Sequence, residues 1–274
     1  MNKLSLEKRT QIINLLVEGN SLRSTSRITG ASINTVTKLL VEVGRACQEY
    51  HDKNVRGLRT TRVECDEIWS FVYAKQKNVP EELRGQDGFG DVWTWVAIDA
   101  NSKLTISWLV GERNAKYANM FMEDVANRLL NRVQLTTDGL KAYLEAVEGA
   151  FGADIDYAQL IKIYGDSPEG EKRYSPAQCT GIEPKVVMGE PIPRLISTSY
   201  IERQNLTMSM CKRRFTRLTN AFSKKIANHE YAIALHFMYY NFVRIHKTLR
   251  VTPAMQAGLT KKLWEIEDLV KLVI

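Results

Sequence analysis

The stretch Val63-Glu64-Cys65-Asp66-Glu67-Ile68-Trp69-Ser70-Phe71 combines a strand-forming run with three acids. The apolar, β-branched and aromatic residues of the wider segment 62–75 predict a β-strand. An acid inside such a strand is costly to bury unless it is paired or bound to a metal ion, so Asp66 is a candidate functional residue. Side chains alternate along a strand, so Glu64 would lie on the same face as Asp66 and Glu67 on the opposite face. Either glutamate is an alternative functional acid.

The segments after this strand predict a mixed α/β fold. Residues 91–99 and 103–110 read as two further strands of an antiparallel meander, joined by a turn at Asn101-Ser102. The following pattern of alternating helices and strands completes a five-stranded mixed sheet with flanking helices, with its elements at 114–130, 133–138, 140–151 and 156–163.

Residues 164–197 interrupt this pattern because they hold five of the seven prolines and four glycines. We interpret them as an irregular insertion, since a long segment without regular structure is usually functional. Helix is expected to resume at Ser199. A long apolar helix at 223–243 and an amphipathic helix at 263–273 follow.

The N-terminal residues predict three helices, at 5–18, 22–29 and from 33 to about 52. Gly30 makes a tight turn between the second and third, which is the helix-turn-helix pattern. Asn34, Thr35 and Lys38 would then lie at the front of a recognition helix, where base edges are met. A plain three-helix bundle used for oligomerisation is the alternative.

Charge is distributed unevenly along the chain. Residues 1–62 carry 11 Lys or Arg against 5 Asp or Glu, residues 63–202 carry 14 against 22, and residues 203–250 carry 10 against 1. Basic flanks around an acidic centre are typical of a protein that grips a polyanion while its centre holds cations. Solvated surface charge is the alternative, and it fits residues 203–250 least well.

Other features narrow the class of protein. The four cysteines are far apart and form no C-x-x-C pair, which argues against a disulfide framework or a cysteine-rich zinc site. No apolar run has a membrane-spanning length, and the N-terminus lacks a signal-peptide core. We therefore expect a cytoplasmic protein without a membrane partner.

Three acids on separate segments are candidate metal ligands: Asp66, Asp138 and Glu202. Carboxylate oxygens suit hard divalent cations, and a pair of such ions can cleave or join a phosphodiester. Asp138-Gly139 also fits an ordinary turn or helix cap. Ser199-x-x-Glu202 also fits a capping box, which competes for the same glutamate.

Four motifs resemble the DDE transposases of bacterial insertion sequences, within the RNase H-like transposase and integrase superfamily. They are Asp-Glu-Ile-Trp-Ser-Phe at 66–71, Thr-Asp-Gly at 137–139, Ser-Tyr-Ile-Glu-Arg-Gln-Asn at 199–205, and Tyr-Asn-Phe-Val-Arg-Ile-His-Lys-Thr-Leu at 240–249 followed by Thr-Pro-Ala-Met at 252–255. The resemblance covers about residues 60–260. It implies a helix-turn-helix domain at 1–55, a linker at 56–62, an RNase H-like catalytic domain at 63–260 and a C-terminal helix at 261–274.

The resemblance also implies an activity and its site. Asp66, Asp138 and Glu202 would bind two Mg²⁺ ions, for which Mn²⁺ would substitute. The enzyme would cleave double-stranded DNA at the ends of a mobile element and join the freed 3′-OH to target DNA. It would act at the nucleoid as a homodimer or larger assembly on paired ends.

Basic and polar residues after Glu202 would contact this DNA: Arg203, Asn205, Lys212, Arg213, Arg214, Arg244, His246 and Lys247. His246 also fits a plain surface histidine. Ser209 departs from the family pattern, because many relatives carry Lys or Arg two helical turns after the glutamate. An inert helix-turn-helix regulator and an RNase H-like nuclease are the alternative functions.

Overall fold

A mixed sheet lies at the centre of the computed structural model, which describes residues 4–86, 88–165, 179–216 and 221–273. The described residues form six strands in the order β3-β2-β1-β4-β5-β6. The strands are β1 (Arg62–Val72), β2 (Gly90–Asp99), β3 (Thr105–Gly111), β4 (Gln134–Thr137), β5 (Asp156–Tyr164) and β6 (Cys179–Met188).

Helices lie before, between and after these strands. They are α1 (Leu6–Val17), α2 (Leu22–Thr29), α3 (Ile33–Asn54), α4 (Ala115–Ala126), α5 (Ala142–Phe151), α6 (Ser199–Cys211), α7 (Ile226–Met238), α8 (Pro253–Gln256) and α9 (Ile266–Lys271). None of the helices in the described ranges is both long enough and apolar enough to cross a membrane.

The predicted meander is confirmed, since β1 pairs antiparallel with β2 and β2 with β3. β4 then pairs parallel with both β1 and β5, with Thr137 opposite Cys65 on one side and Gln159 on the other. Three antiparallel strands followed by two parallel additions, with helices alongside, are compatible with the RNase H-like fold that the resemblance implies.

The predicted count of five strands is wrong, because β6 adds a sixth at the edge of the sheet. β6 falls within residues 164–197, which we expected to be irregular throughout; residues 166–178 of that segment lie outside the described part of the chain. Most side chains of β6 are exposed, and the strand contains Pro184. Edge strands tolerate proline and need no buried face, so β6 lacks the apolar alternation that marks a strand in sequence.

The three N-terminal helices form at the predicted places and pack against the C-terminal part of the chain. α3 lies against α7 so closely that a Cβ on Gly44 would stand 2.4 Å from the carbonyl oxygen of Tyr231. One apolar core runs from Ile12 of α1 to Val270 of α9. Residues 56–62 are also held in place, because Leu58 forms backbone hydrogen bonds with Arg128 and Leu130. The division into domains and the DNA-binding role of these helices stay predictions.

The two predicted C-terminal helices are shorter than expected. The apolar segment 223–243 forms α7 only over Ile226–Met238, and a π-helical turn at Tyr239–Val243 ends it. The last helix spans Ile266–Lys271 rather than 263–273, because Glu265 and Asp268 form a capping box at its start.

Candidate active site

Two of the candidate acids are brought together by the register of β1 and β4. Cys65 lies opposite Thr137 in this parallel pair, so Asp66 and Asp138 follow at the same level of the sheet. Both line a cavity of about 600 Å³. Glu202, on the first turn of α6, lines the same cavity. All three predicted acids therefore meet at one place.

Asp66 is held by two hydrogen bonds. Its Oδ1 accepts the backbone N–H of Glu67 at 2.8 Å, and its Oδ2 accepts from Nδ2 of Asn205 at 3.0 Å. Burial, and after it the negative charge of Asp138, raise the pKa of Asp66 to about 7. A carboxyl in this condition gains a great deal from a bound cation, because a cation offsets both effects.

Asp138 is both a turn residue and a member of the acidic site. Its Oδ1 accepts the backbone N–H of Leu140 at 3.0 Å, as in the ordinary turn that the sequence also allowed. The side chain of Gln159 fixes this turn by donating to the carbonyls of Asp138 and Leu140, each at 3.1 Å. The Oδ2 of Asp138 is left to face Arg113 at 3.4 Å.

Glu67 joins this pair although it lies on the opposite side of the strand from Asp66. Carboxylate oxygens of Asp66, Glu67 and Asp138 lie within 4.8 Å of one another. Burial, and after it the charge of Asp138, raise the pKa of Glu67 to about 7. Its Oε2 accepts from Nε of Arg113 at 3.0 Å. The sequence left Glu67 open as an alternative acid, and its position makes it an addition to Asp66 instead of a replacement.

Glu202 is held by other partners, and the predicted capping box with Ser199 is not formed. Its Oε1 accepts from Nζ of Lys162 at 2.6 Å and from the hydroxyl of Thr198, the residue that precedes the helix. The first N–H groups of α6 turn elsewhere: those of Tyr200 and Ile201 donate to the carboxylate of Glu64. The N–H of Ser199, which a capping box would pair with Glu202, donates to the hydroxyl of Ser197 at 3.1 Å. The side chain of Glu202 therefore projects into the cavity instead.

The donor set fits a divalent cation. Three carboxylate groups offer oxygens within 4.8 Å of one another, and such oxygens are the ligands that Mg²⁺ and Mn²⁺ take. Glu202 is a fourth acid in the same cavity. Burial and, after it, repulsion from Asp138 raise the pKa of Asp66, and a bound cation would relieve that repulsion.

The candidate DNA-contacting residues of α3 lie at its N-terminal end. Asn34 and Lys38 are exposed, and Lys38 faces Glu42 at 3.8 Å. Thr35 is partly buried, and its hydroxyl is 2.9 Å from that of Ser32.

The candidates on and after α6 differ in how exposed their side chains are. Arg203 and Arg213 are exposed, whereas Arg214 is partly buried beside the hydroxyl of Ser223. Asn205 binds Asp66 within the acidic site. The prediction that Lys212 contacts DNA is wrong, because its side chain is buried and its Nζ donates to the carbonyl of Leu16 at 2.7 Å.

The basic segment after α7 remains accessible. Arg244 and Lys247 are exposed. His246 is partly buried, and its Nδ1 lies 2.9 Å from the hydroxyl of Thr248.

Two basic residues of the site, Arg113 and Lys162, were not identified from the sequence. Arg113 follows β3, and Lys162 lies on β5 three residues beyond Gln159, which pairs with Thr137 at the end of β4. β5 continues beyond the carboxyl end of β4, where Asp138 lies, so a lysine in this extension was the available signal for Lys162. Arg113 carried no comparable signal.

Neither a protein-family model nor a curated protein sequence matches the chain. Among solved structures, three complexes of Mos1 are similar at 10–11% identity. They are a pre-cleavage transpososome (TM-score 0.28, covering 97% of this chain and 82% of the other), the mariner paired end complex with Mn (0.24, 86% and 78%) and the strand transfer complex (0.23, 86% and 78%). TM-scores this low do not establish a shared fold, so function must be argued from the site itself.

Proposed function

We propose that this chain is a DDE-type transposase, which cleaves DNA at the ends of a mobile element and joins them to target DNA. The observation that carries this proposal is the meeting of Asp66, Asp138 and Glu202 in one cavity, from two adjacent strands and a helix. They are the same three acids for which the sequence resembles this family.

The carboxylates of Asp66, Asp138 and Glu202 would hold two Mg²⁺ ions, with Glu67 beside them. When bound, the ions would activate a water or a 3′-hydroxyl and stabilise the leaving oxygen of the phosphodiester. Asn205 and the backbone N–H of Glu67 orient Asp66. Gln159 keeps Asp138 at the end of β4 by fixing its turn. Glu64 sets the start of α6 against β1, which places Glu202.

Exposed basic residues close to Glu202 in sequence support DNA as the substrate. Arg203 is exposed immediately after Glu202 on α6, and Arg213 is exposed just past the end of this helix. Arg244 and Lys247 add exposed positive charge after α7. Such side chains neutralise phosphates without reading sequence.

We assign recognition of the element ends to α2 and α3. Asn34 and Lys38 are exposed at the N-terminal end of α3, where they would contact base edges. A transposase must hold two element ends together, so the active form is proposed to contain two or more copies of the chain on double-stranded DNA.

The experiment that tests this function uses DNA carrying the sequences that flank the gene of this protein. Wild type is incubated with this DNA and Mg²⁺, alongside Asp66→Asn, Asp138→Asn and Glu202→Gln, and nicked and joined products are separated on gels. We expect end cleavage and strand transfer by wild type only. Omission of Mg²⁺ should abolish both, and Mn²⁺ should restore them.

Each alternative function predicts a different result. Tight end binding by wild type without nicking or joining would indicate an inert DNA-binding regulator. Cleavage of RNA–DNA hybrids without end specificity would indicate a nuclease. Unchanged cleavage by all three variants would place the catalytic site elsewhere.

A further inference from the structure

The carboxylate of Glu202 is held by a lysine of the site. Nζ of Lys162 on β5 lies 2.6 Å from Oε1 of Glu202, and the hydroxyl of Thr198 donates to the same oxygen. Both charged side chains are partly exposed to the cavity, so neither is locked in place by packing. Glu202 accordingly stands apart from the acids whose oxygens cluster within 4.8 Å, namely Asp66, Glu67 and Asp138.

Simultaneous binding of a divalent cation and the ammonium group of Lys162 to Glu202 is electrostatically unfavourable. The two positive charges would lie within a few ångströms of each other in a partly desolvated cavity, where their repulsion is strong. Binding of a cation by Glu202 must therefore release Lys162. The lysine has a long flexible stem and would keep its positive charge inside a cavity of about 600 Å³.

After Arg203, the rest of α6 supplies no further positive charge. Between Arg203 and Lys212 the helix carries no basic residue. Lys212 itself is buried against Leu16. A phosphate that enters the cavity next to Glu202 thus finds its nearest movable ammonium group on β5.

We propose that Lys162 is an exchangeable residue of the site, which pairs with Glu202 in the metal-free protein and binds a DNA phosphate once metal takes Glu202. This inference rests on the proposed function, because it assumes that the cavity takes metal and DNA. Lys162 competes with metal for Glu202 and contributes to DNA binding only after the exchange. Metal binding and DNA binding are thereby coupled through one side chain.

The variant Lys162→Met removes the charge and keeps a similar length. Mn²⁺ binding is measured by calorimetry without DNA, and binding of a short duplex from the element end is measured by fluorescence anisotropy in Mn²⁺ and in EDTA. We expect Lys162→Met to bind Mn²⁺ at least about 5-fold more tightly than wild type. The same variant should bind DNA about 5-fold more weakly in Mn²⁺, with little change in EDTA.

Three further variants make the result specific. Lys162→Arg keeps the charge and should stay close to wild type in both measurements. Lys141→Met removes an exposed lysine from the same cavity and should leave Mn²⁺ affinity nearly unchanged. In a Glu202→Gln background the partner of Lys162 is gone, so Lys162→Met should change Mn²⁺ affinity much less than it does in wild type.

The outcomes separate this inference from the proposed function. Weaker or unchanged Mn²⁺ binding by Lys162→Met would overturn the exchange, as would an equal loss of DNA affinity in Mn²⁺ and in EDTA. The proposed metal site itself would fail on a different result. In that case Asp66→Asn and Asp138→Asn would bind Mn²⁺ as tightly as wild type does.

Discussion

The carboxylate of Glu64 on β1 accepts the backbone N–H of Ile201 on α6 at 3.0 Å. The same oxygen accepts the N–H of Tyr200 at 2.8 Å, and Glu64 is only 2% exposed. Glu64 lies two residues before Asp66, so this contact fixes the distance between the strand and the helix that carry the acidic site. Glu64 is therefore a positioning residue for Glu202.

Replacement of Glu64 tests this positioning role. Glu64→Ala leaves the buried N–H of Ile201 and the part-buried N–H of Tyr200 without an acceptor, and we expect a loss of about 2 kcal/mol in the free energy of unfolding. Glu64→Gln keeps an acceptor oxygen and should lose less. Denaturant unfolding measures the stability of both, and Mn²⁺ titration reports the placement of Glu202. Equal stability and equal Mn²⁺ affinity in wild type and Glu64→Ala would contradict the role.

Asn205 offers a second test, because it donates to Asp66 at 3.0 Å. Asn205→Asp puts a like charge in its place and should destabilise the metal-free protein by about 1 to 3 kcal/mol. Added Mn²⁺ should recover much of that loss, since a cation offsets the repulsion. Thermal unfolding with and without Mn²⁺ measures the recovery. Asn205→Ala is the matched control, which loses the hydrogen bond without adding charge and should show no extra recovery.

The close approach of α3 to α7 predicts that Gly44 tolerates no side chain. A Cβ there would stand 2.4 Å from the carbonyl oxygen of Tyr231, so Gly44→Ala should cost about 3 kcal/mol in unfolding free energy. Gly149→Ala on α5 is the control, since its Cβ would meet nothing within 4 Å. This control should be neutral or more stable by up to about 1 kcal/mol. Similar stabilities of the two variants would contradict this docking of the N-terminal helices.

Buried Lys212 predicts a pH dependence of stability. Burial, as the largest cause, lowers its pKa from 10.5 to about 7. Between these values the unfolded chain binds more protons than the folded one, so this lysine destabilises fully below about pH 7 and progressively less toward pH 10. Lys212→Met should therefore be more stable than wild type by on the order of 2 kcal/mol at pH 7.

The difference between Lys212→Met and wild type should shrink as the pH rises toward 10. Denaturant unfolding at pH 7, 8.5 and 10 measures this difference, which cancels the titration of other groups common to both proteins. Lys247→Met, at an exposed lysine, should match wild type at every pH. A gain that does not change with pH would show that Lys212 stays charged in the folded protein.

Strands with buried side chains were predictable from the sequence, and exposed ones were not. β1 and β2 carry apolar and aromatic residues in runs, and their positions and antiparallel pairing follow from this pattern. β6 has mostly exposed side chains and contains Pro184, so nothing in its composition separates it from a loop. Only its pairing with β5 makes it a strand.

The site was predictable as far as its acids stand out from an apolar background. Asp66 does so within β1, and Asp138 and Glu202 followed from the motifs. The ion pair of Lys162 with Glu202 depends on how β5 lies relative to α6, which no local pattern specifies. The burial of Lys212 is hidden from the sequence for a related reason: a count of charges along the chain does not reveal which of them the fold buries.

Acids from β1, β4 and α6 are proposed to form one divalent-metal site, and iron-directed cleavage of the polypeptide can locate that site. Fe²⁺ takes the same kinds of oxygen ligands and, with ascorbate and peroxide, cuts backbone only close to where it is bound. Mass spectrometry of the fragments should locate cuts near residues 66, 138 and 202, which excess Mg²⁺ suppresses and Asp66→Asn with Asp138→Asn abolishes. Cuts confined to other segments, or cuts near these residues that persist in the double variant, would show that the three acids do not form one metal site.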